Sequence, residues 1–163
     1  IIKNITIERI GANAEAWDAV AAFHVFINEK DSKIKASQEA VEKEMKDLIE
    51  GMQKTTSGLY YKITREGVGV KPTKGSNVSV HYRGMMLDGT VFDSSYQRNE
   101  PISFPLGQKR VIKGWDEGIA LLKKGSAATL VIPSDLAYGS RGAGEVIPPD
   151  TILIFEVELV DFS

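Results

Sequence analysis

A short amphipathic stretch set between alternating runs constrains this chain more than any other feature. Over residues 111–122, Val111, Ile112, Trp115, Ile119 and Leu122 recur at helical spacing, while Lys113, Asp116, Glu117 and Lys123 take the opposite face. Gly107 ahead of the stretch and Gly125 behind it are the breakers expected at helix ends. The runs on either side alternate with a period of two. Laying one short helix across a curved antiparallel sheet buries both apolar faces at once, and Trp115 would then floor a pocket.

The rest of the chain divides around that unit. Residues 1–11 alternate about Ile5 and Ile7 and read as an orphan or edge strand. Residues 12–53 carry two apolar stripes, Trp17, Val20, His24 and Ile27, then Ile34, Val41, Met45, Leu48 and Met52. A polar turn over residues 28–32 separates them, which predicts an α-helical hairpin whose exposed stripe would suit a homodimer contact. Residues 54–163 read as the β-rich domain. Asp88-Gly89 is a hairpin turn that sets Tyr82 and Phe92 on facing strands, and residues 127–132 and 151–162 alternate as further strands. Residues 135–150, with Gly139, Gly142, Gly144 and Pro148-Pro149, are too long for a tight turn and predict a functional flap over the sheet.

Composition removes several function classes. The 20 basic and 22 acidic residues are interspersed and leave a formal charge of −2, so neither nucleic acid nor an anionic membrane surface is an expected partner. No run approaches the ~20 apolar residues of a membrane helix, so membrane insertion is not expected. Without cysteine there is no disulfide frame, thiol nucleophile or thiolate metal site, and the compartment stays open, with cytoplasm preferred to periplasm. The only imidazoles, His24 and His81, fall in different modules, which argues against a catalytic triad and gives no metal-ligand spacing. The glycines of the flap lack the lysine and following helix of a phosphate cradle. Neither a metal nor a cofactor is expected.

What remains is aromatic. Tyr82, Phe92, Phe104, Trp115, Tyr138 and Phe155 can all point toward one concave face. Such a cluster is usually core, because large aromatics are usually buried. Asp93 and the tyrosine hydroxyls beside it turn the reading toward an apolar binding pocket with a few polar groups.

From about residue 58 to the C-terminus the chain resembles the FKBP-type peptidyl-prolyl cis-trans isomerases. The resemblance is carried by His81-Tyr82-Arg83-Gly84, Asp88-Gly89-Thr90-Val91-Phe92-Asp93-Ser94-Ser95, Val111-Ile112-Lys113-Gly114-Trp115-Asp116-Glu117-Gly118, Ala137-Tyr138-Gly139 and Val146-Ile147-Pro148-Pro149. It implies an α+β fold in which a curved antiparallel β-sheet wraps one short helix. It also implies catalysis of X-Pro rotation in polypeptide substrates by Tyr82, Phe92, Asp93, Trp115, Tyr138 and Phe155. Arg98, Ile102, Phe104, Val111, Ile112, Ala143 and Ile147 would bind the substrate, and a macrolide is the further ligand implied. Ile102 and Ala143 depart from the bulkier residues usual in eukaryotic members and thin the pocket rim. The alternative is a proline-peptide-binding chaperone or interaction module with little catalytic role. Residues 1–10 also resemble the closing strand of cyclophilin-type isomerases, which leads us to expect a second isomerase domain upstream.

Overall fold

The structure, a computed structural model, describes residues 19–163. The strand expected at residues 1–11 and the start of the first helix lie outside these residues. The chain forms two compact units, Ile1–Glu44 and Met45–Ser163.

In the described part of the first unit the chain is helical, and helix α1 runs without a break over Ala19–Ile49. The turn expected at residues 28–32 does not form, so there is no hairpin among the described residues. The physical reason is local. Asn28-Glu29-Lys30-Asp31-Ser32 contains neither glycine nor proline, and exposed polar side chains are tolerated in a helix interior. A break in the apolar stripe therefore marks a solvated stretch of helix, not its end. The true stop is Gly51, whose φ of +72° ends the helix beside the Met52 N–H bond to the Ile49 carbonyl.

The second unit holds a seven-stranded antiparallel sheet. Its strands are β1 (Gln53–Lys54), β2 (Tyr60–Arg65), β3 (Asn77–Met86), β4 (Val91–Ser94), β5 (Ile102–Pro105), β6 (Ala127–Ile132) and β7 (Leu153–Phe162). The order is β1-β2-β6-β7-β3-β4, with β5 also paired to β3. Strand β3 organises the rest. Its first half pairs with β5, as Val78 with Phe104, and its second half with β4, as Gly84 with Asp93, while β7 lies along its full length. The predicted Asp88-Gly89 turn joins β3 to β4. Gly89 takes φ +81°, and the Asp88 carboxylate accepts the Thr90 N–H at 2.9 Å.

Helix α2 (Lys113–Ala120) is shorter than the apolar stripe that announced it, because Ile112 is an extended N-cap. Val111 and Ile112 therefore sit on the approach to the helix. Trp115 and Ile119 are buried in its body and Leu122 just beyond it, in one core with Leu130, Ile132, Leu153, Phe155 and Leu159. The helix lies close on β6 because Gly114 and Gly118 face it. A Cβ at Gly114 would stand 2.5 Å from Ile132 Cγ2, and one at Gly118 2.7 Å from Leu130 Cδ1.

Two loops complete the unit. The segment after β4 forms a 3-10 turn at Tyr96–Arg98. The predicted flap is ordered by 3-10 turns at Ser134–Leu136 and Gly139–Arg141 and by a small bridge between Ala143 and Ile147. Gly142 folds this loop back at φ +64° and ψ −163°, where a Cβ would lie 2.2 Å from the Ile147 carbonyl oxygen.

Candidate active site

Between the second half of β3, β4, α2 and the flap lies a cavity of about 220 Å³. Tyr82, Phe92, Asp93, Ile102, Val111, Ile112, Trp115, Tyr138 and Phe155 line it, all of them residues expected from the sequence. Two-residue alternation brings Tyr82 and Phe155 inward from neighbouring strands, and α2 presents Trp115 beneath them. The rings meet edge to face: Tyr82 and Trp115 at 4.9 Å and 78°, Trp115 and Phe155 at 5.2 Å and 83°, Phe92 and Phe155 at 5.6 Å and 87°. This arrangement sets the positive edge of each ring against a negative face and holds the walls rigid.

Four expected site residues do not line the cavity, and two of them, Phe104 and Arg98, contact residues that do. Phe104 packs on the far side of Trp115, 5.8 Å from it at 41°. Ile147 is buried in the core, and Ala143 is held to it by two backbone bonds of 2.8 and 3.1 Å. Arg98 reaches back from the 3-10 turn to donate to Asp93 Oδ1 and to the Tyr82 hydroxyl, both at 2.7 Å. Arg110 does line the cavity, and sequence reasoning missed it. The signal available was its position directly before Val111, obscured because Gln108-Lys109-Arg110 reads as an ordinary polar loop.

Asp93, Tyr82 and Arg98 form one closed set, in which the Tyr82 hydroxyl donates to Asp93 Oδ2 at 2.5 Å. Partial burial alone would raise the Asp93 pKa, but the hydrogen bonds from Arg98 and Tyr82 outweigh it and hold the carboxyl below its ordinary 3.8. Burial, then the bond to Asp93, pushes the Tyr82 phenol above 10.0, with Arg98 opposing. The Arg98 guanidinium is raised, chiefly by its bond to Asp93. The depressed Asp93 value stabilises the fold above its unfolded pKa, and that contribution is lost as pH falls through the lower folded value. The raised Tyr82 value stabilises below pH 10.0 and is lost as pH rises through the folded value. The set therefore keeps one protonation state from about pH 5 to 9, given ordinary pKa values near 4 and 10. X-Pro exchange rates measured by NMR across that window are expected to be flat.

His81 belongs to the other face of the sheet. Its Nδ1 lies 2.9 Å from Ser95 Oγ, and its ring stacks on Tyr96 at 4.8 Å and 13°, so it supports β4 and does not enter the cavity.

A profile of the FKBP-type peptidyl-prolyl cis-trans isomerases matches residues 69–160. The chain belongs to this family. FK506-binding protein 1 of Dictyostelium discoideum is 53% identical over 106 residues, a match covering 65% of this chain and 99% of that protein. The FKBP-type peptidyl-prolyl cis-trans isomerase FkpA of Aeromonas hydrophila is 41% identical over 173 residues, covering 98% of this chain. The chain spans 63% of the length of that relative. The crystal structure of FkpA from Escherichia coli superposes with a TM-score of 0.68 at 34% identity, over 95% of this chain and 74% of that one. The expected FKBP-like α+β fold is thus present. Because the Aeromonas alignment takes in nearly all of this chain, its N-terminal segment is also similar to part of an FKBP-type isomerase.

Proposed function

We propose that the cavity between α2 and the flap takes up the proline of an X-Pro segment in a polypeptide and speeds rotation about the preceding amide. The barrier to that rotation, roughly 20 kcal/mol, is amide resonance, so no bond need be broken. A twisted amide has lost resonance charge separation and is less well served by water than by an apolar enclosure. A cavity that binds it in preference to the planar form lowers the barrier. Trp115, Phe155, Tyr82 and Phe92 supply the enclosure. The Ile112 N–H and the Tyr138 hydroxyl are among the donors available to substrate carbonyls. Asp93, whose charge is balanced by Arg98 and Tyr82, sets the polarity beside the rotating bond without exchanging a proton.

The observation that carries this reading is an aromatic cavity whose single carboxylate already has its partners, which suits binding of an uncharged ring and an amide and not proton transfer. The test is exchange of short X-Pro peptides followed by NMR. Phe92→Ala and Asp93→Ala are each expected to lower the rate by about tenfold or more, equivalent to ~1.4 kcal/mol of transition-state binding, with circular dichroism unchanged. No acceleration over buffer by the wild-type chain would sink the reading.

The same cavity should accept a macrolide such as FK506, the ligand for which the Dictyostelium relative is named. Ile102 stands at the rim, 36% exposed, where a larger ring would add apolar contact. Ile102→Phe is expected to tighten FK506 about threefold to fivefold, from some 30–40 Å² of added burial at ~25 cal/mol per Å². A calorimetric titration showing no gain would contradict that account of the rim.

A further inference from the structure

Charge is distributed unevenly round the mouth of this cavity. Arg110 is exposed and contributes to the lining beside Val111 and Ile112, and it is flanked by exposed Lys109 and Lys113. The acids within reach along the chain are occupied. Asp116 accepts the backbone N–H groups of Gly107 at 2.8 Å and Lys109 at 3.0 Å, which clamps the turn that carries Arg110. Glu117 accepts the Ser57 hydroxyl at 2.5 Å. On the opposite wall Asp93 is held by Arg98 and Tyr82. Arg110 takes part in none of the ion pairs among the described residues. The carboxylate that lines the cavity is therefore paired with an arginine, and Asp116 and Glu117 are committed to local hydrogen bonds, while Arg110 at the edge makes no ion pair among the described residues.

We propose that Arg110 makes this edge a cationic lip that favours client segments carrying an Asp or Glu carboxylate next to the proline. This rests on the isomerase reading of the cavity and extends it to substrate choice. A guanidinium suits the role, because its planar fork matches a carboxylate and stays charged at any physiological pH. The clamp from Asp116 fixes the backbone from which the side chain projects, so less order must be gained on binding. The lip is open to solvent, and an exposed ion pair is a modest, salt-screened contribution. The preference should accordingly be a severalfold bias and not an absolute requirement.

The experiment uses three peptides identical except for Glu, Leu or Lys immediately before proline, with the wild-type chain, Arg110→Gln and Arg110→Glu. Exchange rates and NMR shift titrations are recorded at low salt and at about 1 M salt, where the screening length falls to roughly 3 Å. In the wild type the Glu peptide should exceed the Lys peptide in kcat/KM by about threefold to tenfold at low salt, the range given by an attractive and a repulsive exposed pair together. That ratio should approach one in Arg110→Gln and at high salt, and invert in Arg110→Glu. Because the ratio is taken within each protein, a general loss of activity in a variant cancels. A ratio unchanged across the three proteins overturns the lip. Failure to turn over any peptide, including the Leu peptide, overturns the isomerase reading instead, and the Glu-to-Lys ratio of binding affinities then decides the role of Arg110.

Discussion

Phe155→Ala is expected to lower the free energy of unfolding by about 3–5 kcal/mol, the usual cost of emptying a buried aromatic site, and to reduce X-Pro exchange at least tenfold. Phe155 is 4% exposed and meets the Trp115 and Phe92 rings edge to face, with Tyr82 6.3 Å away at 53°. The backbone is shaped to receive it. A Cβ at Gly84, its partner residue on β3, would stand 2.8 Å from the Phe155 ring. Truncation therefore removes the common contact of three cavity walls. Against a total stability of roughly 5–15 kcal/mol, the variant would be marginal at room temperature. Urea denaturation measures the first effect and NMR exchange the second. Phe155→Leu separates them: it restores most of the volume and should recover most of the stability, while the rate stays low because the ring edges that shape the cavity are absent. Recovery of both would reduce Phe155 to packing.

Gly114→Val should destabilise the domain by about 3 kcal/mol, at the upper end of the cost of overpacking a core. On an exposed helix, replacing glycine by a residue with a side chain usually gains stability, by roughly 0.5–1 kcal/mol for alanine. Here the sign reverses. The new Cβ would stand 2.5 Å from Ile132 Cγ2 and 2.9 Å from Cδ1, and Ile132 is fully buried with no room to retreat. Relief requires α2 to lift from β6, and α2 carries Trp115 while its approach carries Val111 and Ile112. Thermal unfolding should show the loss, and FK506 affinity should fall with it. A Gly114→Val protein as stable as wild type would show that the helix does not depend on this close approach.

Much of the fold was legible in the chain. Val78, Val80 and Tyr82 alternate on β3 as they alternate in sequence, all three buried, and Leu153, Phe155, Val157 and Leu159 do the same on β7. Of the thirteen expected site residues, nine line the cavity, while Arg98, Phe104, Ala143 and Ile147, which the family resemblance implied as substrate-binding, do not. The broken stripe at residues 28–32 misled, because loss of apolar periodicity is also what a solvent-exposed helix shows, and only glycine, proline or a cap would have marked a stop.

Periodicity and turn chemistry belong to neighbouring residues, which is why strands, the Asp88-Gly89 hairpin and the amphipathic stretch around Trp115 can be read along the chain. Which partners those elements find is a matter of residues far apart. Arg98 serves Tyr82 sixteen positions earlier, Phe104 backs Trp115, and a Cβ on Gly114 of α2 would meet Ile132 of β6. These relations depend on side-chain reach and packing in the closed core, where every contact is set by the simultaneous fit of several elements. The aromatic inventory was present in the linear order. Its arrangement as a cavity with a balanced carboxylate on one wall and, at its lip, an arginine with no ion-pair partner among the described residues arose when β3, β4, α2 and the flap packed together.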